Sequence, residues 1–146
     1  MTIENLKDYW QSVCLKHKDV KQFNVGNYYD TAVNTNDKYP LAFWEMPYTI
    51  DFNMQKPIDT VQVSFSIFLN TKQDDIADAH QAISLAKEIG EAIIQYVIND
   101  TTKNFIFNSA NAVSVREYSD DYVAGFRWDL TMTVQRSICD LQELFN

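Results

Sequence analysis

The feature that most constrains the fold is a strand pattern that runs directly into a long helix pattern, between residues 60 and 97. From Val61 to Leu69 every second side chain is apolar, which is typical of a half-buried strand. From Ile76 to Val97 the apolar side chains recur every three or four positions, which predicts an amphipathic helix. A helix of about 24 residues is roughly 36 Å long, so we expect it to lie across the sheet that contains the preceding strand. Thr71, followed three residues later by an aspartate, resembles a capping box for this helix.

Further period-two patterns predict the other strands of the sheet. The even positions of residues 41–52 are apolar, but Pro47 predicts a kink or bulge near Met46, because proline is excluded from the middle of a central strand. Residues 112–118, a turn at 119–121 and seven consecutive apolar even positions in residues 122–134 predict a long hairpin. The second hairpin strand is more than about 40 Å long, so we expect it to project from the domain or to bend at Gly125.

The remaining segments complete an α+β order. Residues 3–17 predict a helix capped by Thr2, and residues 21–25 predict a short strand. Residues 26–40 are interpreted mainly as a loop, with a missed strand as the alternative, and residues 104–111 as loop around a short apolar piece. Residues 138–145 are interpreted as a final helical turn or an interaction tail. The whole order predicts an antiparallel sheet with the N-terminal helix and the long central helix packed on one face, and a long β-hairpin near the C-terminus. The length of 146 residues fits one domain over residues 1–146.

Charge and cysteine usage narrow the function classes. The formal net charge of −8 and the lack of a basic cluster argue against a protein that grips DNA or an anionic membrane, but they are compatible with an acidic wall past which DNA slides. Cys14 and Cys139 lack metal-ligand spacing and are interpreted as reduced thiols. We expect no signal peptide and no membrane-spanning segment.

No motif for catalysis, metal binding or phosphate binding is found in the sequence. The three glycines are far apart, so they do not form a phosphate-binding loop. His80 lies near Asp74, Asp75 and Asp78, but these aspartates are better explained as acidic residues at a helix N-terminus. We therefore expect a protein that is not an enzyme and that has no cofactor and no metal.

Four segments together resemble the tail-terminator or tail-completion proteins of tailed phages. They are LAFWEMPYTIDF at 41–52, TVQVSFSIFL at 60–69, DDIADAHQAISLAKEIGEAIIQYV at 74–97 and AVSVREYSDDYVAGFRWDLTMTV at 112–134. The resemblance lies in element order and pattern over residues 40–136, with no fixed signature residue. It extends to the portal-to-tail ring proteins of crAss-like phages.

The resemblance implies a structural virion protein that forms an oligomeric ring at the head-tail, or portal-tail, junction. The implied partners are further copies of the chain, neighbouring portal, adaptor or tail proteins, and DNA as non-specific cargo passing through the lumen. The implied location is the tail or neck of the virion, with assembly in the host cytoplasm and no contact with a membrane. The candidate subunit-interface residues are Tyr28, Tyr29, Pro47, Asp120 and Asp121.

Two alternatives remain open at this point. A small α+β module could bind a ligand in an apolar pocket lined by Trp44, Tyr48, Phe126 and Trp128. Alternatively, the chain could be an adaptor that binds another protein through a sheet edge.

Overall fold

The computed structural model describes residues 1–27, 37–72, 74–118 and 122–136, which form two helices and six strands. The helices are α1 (Ile3–Lys16) and α2 (Ile76–Asn99). The strands are β1 (Gln22–Gly26), β2 (Leu41–Glu45), β3 (Thr49–Phe52), β4 (Ile58–Asn70), β5 (Phe105–Tyr118) and β6 (Tyr122–Gln135). The predicted α+β class, both helices and the C-terminal hairpin are confirmed.

All strands belong to one sheet with the order β1-β2-β4-β6-β5, and β3 also pairs with β4. β2 and β3 lie on the same side of β4, one beside each half, so the predicted interruption near Met46 and Pro47 is confirmed. The sheet is mixed rather than purely antiparallel, because β1 pairs with β2 in parallel. The chain returns from the end of β1 to the start of β2 over residues 27–40, which is long enough for a parallel crossover.

Both helices pack on one face of the sheet, which we call the helix-covered face. Its core contains alternate side chains of β4 and β6 together with buried residues of α1 and α2. Trp10 of α1 is fully buried, and its Nε1 lies 3.3 Å from Met132 Sδ. Trp128 stacks on Phe65, with ring centroids 5.2 Å apart. This burial of the apolar stripe agrees with the period-two and period-three-to-four patterns in the sequence.

The opposite face, which we call the open face, is less polar than the sequence pattern predicts. A second apolar cluster there contains Phe43, Phe68, Val115 and Val123, with Tyr39 packed against it. The Ser, Thr, Gln and Asp side chains at alternate positions of the strand patterns predict a polar opposite face. The structure has one in the half of the sheet nearer Thr60 but not in the half nearer Asn70. Phe68 and Val123 occupy positions that are otherwise polar in the period-two patterns of β4 and β6. They are buried in the second apolar cluster rather than in the core under the helices.

The N-terminal cap of α2 differs from the predicted one. Asp75 is the N-cap, and its side chain accepts a hydrogen bond from the Asp78 backbone N–H at 3.0 Å. Asp74 has a φ of 56°, in the left-handed region, so it cannot be the third helical residue that a cap at Thr71 would require. The cap of α1 is as predicted, with Thr2 accepting from the Asn5 backbone N–H at 3.0 Å.

The C-terminal hairpin differs from its prediction in two ways. β5 begins at Phe105, so the loop predicted for residues 104–111 is wrong. A bulge between Phe107 and Ser109 shifts the alternation by one residue, which hides the strand from a period-two search. β6 remains paired with β4 from Val123 to Gln135, so it does not project from the sheet. The C-terminal segment 138–145 lies outside the described residues.

Candidate subunit interface

Among the described strands, β5 has the longest outer edge without a pairing partner. Among the described residues β5 pairs only with β6, over 14 residues that include neither lysine nor proline. Ile106 and Val113 are 62% and 53% exposed along this strand. Monomeric proteins usually protect such an edge with lysine, proline, a short strand or a covering segment. Two features of β5 oppose pairing, the bulge near Phe107 and the charged residues Arg116 and Glu117. No described strand covers the outer edge between them.

The opposite edge of the sheet is β1, which pairs only with β2 in the described part of the chain. Its five residues likewise include no lysine or proline, and Val25 is 45% exposed. The Gln22 side-chain amide donates to Asn24 Oδ1 at 2.8 Å and to Asp37 Oδ1 at 3.0 Å, so polar contacts order the start of the strand. In the described part of the chain the sheet therefore has two outer strand edges without a pairing partner, a long one at β5 and a short one at β1.

The two edge strands run in opposite directions. β4 and β5 run one way, whereas β1, β2 and β6 run the other way. Val25 of β1 and Ala112 of β5 lie in the same row across the sheet, because the residues paired between them are Trp44, Phe65 and Trp128. β1 is therefore level with the half of β5 that leads to the hairpin turn.

Of the candidate interface residues predicted from the sequence, only Pro47 lies within the described part of the chain. It is exposed in the connection between β2 and β3, where the Met46 N–H donates to the Gly26 carbonyl at 2.8 Å. This hydrogen bond places the end of β1 beside the connection that contains Pro47. Tyr28, Tyr29, Asp120 and Asp121 lie outside the described residues.

Pro47 and the hairpin end do not form one site. Pro47 borders a groove of about 390 Å³ on the open face, whose lining includes Glu45, Ser64 and Asp129. The hairpin turn follows Tyr118 and precedes Tyr122, whose carbonyl accepts from the Thr71 N–H at 2.8 Å. The two positions are separated by about six residues of β4, or roughly 20 Å.

A partly buried ion pair crosses the floor of this groove. Arg127 donates from Nε and Nη2 to the two carboxylate oxygens of Glu45, at 2.8 and 3.0 Å, and Glu45 is buried. Arg127 Nη2 also donates to Ser64 Oγ at 3.2 Å, and Ser64 donates to Asp129. A bidentate guanidinium–carboxylate pair fixes geometry as well as charge. Sequence reasoning missed this pair; its only signal was a charged residue at an open-face position in each of two strands.

The described residues contain no group of three His, Cys, Asp or Glu side chains able to hold a metal ion. His80 is exposed on α2. Cys14 is a buried free cysteine, and burial raises the pKa of its thiol to about 12, which suppresses the reactive thiolate. Cys139 lies outside the described residues.

The four aromatic residues considered as a ligand pocket pack in the core instead. Trp44 and Trp128 are buried, while Tyr48 and Phe126 pack against the same cluster. Trp44 Nε1 donates to the Tyr48 hydroxyl at 2.7 Å, and burial raises the pKa of Tyr48. These side chains therefore pack as two contacting aromatic pairs, Trp44 with Tyr48 and Phe126 with Trp128.

Neither helix in the described part of the chain is long and apolar enough to cross a membrane. No protein-family model matches the chain, and no curated protein matches it.

Proposed function

We propose that the chain is a structural virion protein that assembles into an oligomeric ring at the head-tail junction of a tailed phage. The proposed role is assembly, without catalysis and without a cofactor. The observation that carries the proposal is a sheet whose two outer strands, β5 and β1, each have one edge without a strand partner among the described residues. When two different surfaces of neighbouring subunits bind each other, the interface is heterologous. Such an interface closes into a ring when the rotation between subunits allows it.

The sequence resemblance to tail-terminator and tail-completion proteins supports the placement of this ring in the neck of the virion. The net charge of −8 supports a lumen through which DNA moves as non-specific cargo, since a negative wall repels the phosphate backbone and prevents sticking. Neighbouring portal, adaptor or tail proteins are the proposed partners above and below the ring. Assembly takes place in the host cytoplasm.

The proposal is tested in a phage that encodes this chain. Deletion of the gene is expected to yield DNA-filled heads and separate tails, visible by electron microscopy, and the wild-type gene supplied in trans is expected to restore joined particles. Mass spectrometry of purified particles checks that the protein is present in them. Normal infectious particles formed without the protein, or particles that do not contain it, would contradict the proposed function.

A further inference from the structure

We infer that the β5 edge binds the β1 edge of a second copy of this chain, in antiparallel orientation, along residues 109–118. This inference rests on the proposed self-association and specifies the surface through which it occurs. The result is one continuous sheet that passes from subunit to subunit.

Strand direction favours this pairing. Within one subunit β1 and β5 run in opposite directions. A rotation about an axis roughly parallel to the strands preserves strand direction, so β1 of the next copy meets β5 in antiparallel orientation. Antiparallel ladders form more stable pairs than parallel ones.

The bulge defines which part of β5 is available. The register of β5 on β6 is regular from Ser109 to Tyr118 and is broken between Phe107 and Ser109. A bulge leaves one residue out of the ladder and increases the local twist, so the segment near Ile106 is a poor template for another strand. β1 lies level with the regular segment, which is long enough for all five of its residues.

Charge also favours these edges over the rest of the surface. Each copy carries a net charge of −8, so two copies repel each other in general. β1 contains no charged residue, and the regular segment of β5 contains one of each sign, Arg116 and Glu117. Pairing along these strands therefore brings no excess of like charge together.

The side chains on the two edges are compatible when β1 of one copy pairs with β5 of the next in the register that places Val25 opposite Ala112. Val25 and Ala112 both lie on the helix-covered side of the sheet, and both are exposed. At level register they become cross-strand neighbours, and the exposed valine is buried against a small side chain. Cross-strand apolar pairs of this kind stabilise sheets by about 0.2–1 kcal/mol each.

Cysteine pairs test the inference. In a Cys139→Ser background, Val25→Cys is combined with Ala112→Cys or with Ser114→Cys, which faces the same side two residues further along. A disulfide requires Cα atoms closer than about 7 Å. We expect one of these pairs to give a ladder of covalent oligomers on a non-reducing gel after mild oxidation. The buried Cys14 serves as an internal unreactive thiol.

The negative control combines Val25→Cys with Ile106→Cys, which lies about six residues, or roughly 20 Å, along β5 from Ala112 and faces the open side of the sheet. We expect no covalent ladder from this pair. As a second measurement, hydrogen exchange of the amides of residues 109–118 is expected to slow on assembly, while that of residues 105–107 is unchanged.

The outcomes separate the two proposals. Suppose that the unmodified chain forms oligomers, but the cysteine variants crosslink only through residue 106 or through none of residues 106, 112 and 114. This result overturns the β1–β5 pairing and leaves the proposed assembly intact. A chain that stays monomeric at all concentrations overturns the assembly, and with it this inference.

Discussion

At the scale of single residues, Gly90 sets how closely α2 approaches β6. A Cβ atom at this position would lie 2.0 Å from the Trp128 ring, far inside van der Waals contact. Trp128 is itself buried and stacked on Phe65, so the ring has little room to move. The glycine therefore allows the indole to pack directly against the helix backbone.

This contact predicts the effect of Gly90→Ala. Overpacking a rigid site costs about 1–3 kcal/mol, which outweighs the helix-propensity gain of up to about 1 kcal/mol. We expect the free energy of unfolding to fall by the difference between these two effects, up to about 2 kcal/mol, in urea titrations. Ser84→Ala on the exposed side of α2 is the control, expected to change it by less than about 0.5 kcal/mol. A Gly90→Ala protein as stable as the wild type would show that the packing is looser than described.

A second residue-scale prediction concerns Asp100 at the C-terminal end of α2. Hydrogen bonds from the Thr102 and Tyr9 side chains lower its pKa from 3.8 to about 2. Because the folded-state pKa is depressed, this contribution to stability is present above about pH 4 and is lost as the pH falls towards 2. Asp100→Asn is expected to flatten this part of the pH profile of urea midpoints. Parallel profiles for the two proteins between pH 5 and 2 would contradict it.

Single residues also mark a limit of sequence-based prediction. The sequence predicts that Trp44 and Trp128 are apolar positions on two strands, and both are buried as expected. It does not predict that Glu45 and Arg127, 82 residues apart, form a bidentate pair. That contact depends on which strands are neighbours, and alternation within a strand carries no information about its neighbours.

At the scale of elements, agreement was best where the periodicity was long and uninterrupted. α2 was predicted at about 24 residues and has 24. β4 and β6 were identified from the same kind of signal. β5 was only half identified, because its bulge moves the odd positions from the helix-covered face to the open face. Its first residues then look like separate loop and apolar pieces, although they belong to one continuous strand.

The edge role of β5 predicts the effect of Val113→Lys. A lysine on an edge strand opposes pairing with another strand, and Val113 is sufficiently exposed to tolerate the change without loss of the fold. We expect the variant to shift from oligomer to monomer in size-exclusion chromatography with light scattering. Its circular dichroism spectrum is expected to match that of the wild type. Its urea midpoint is expected to fall only slightly, because the introduced lysine lies opposite Arg127 on β6.

The matched control for that variant is Leu85→Lys, which makes the same charge change at an exposed apolar position on α2. This protein is expected to assemble like the wild type. If Val113→Lys assembles normally, or if Leu85→Lys is equally disruptive, the β5 edge is not the assembly surface.

At the scale of the whole molecule, element order predicted the α+β class but not the full topology. The parallel β1–β2 pair was missed because nothing in residues 21–25 distinguishes a parallel from an antiparallel neighbour. The candidate interface was predicted from the loop near Tyr28, the hairpin tip at Asp120 and Pro47. The described structure instead draws attention to the sheet edges, which a sequence pattern cannot identify before the strand order is known.

The central claim is that copies of this chain assemble into a closed ring through their sheet edges. Native mass spectrometry of the purified protein, combined with electron microscopy of the same sample, tests it most directly. We expect a single dominant mass at an integer multiple of 17.0 kDa, and closed rings with a central channel. A mass of 17.0 kDa at every concentration, also with the candidate portal and tail proteins added, would contradict the claim.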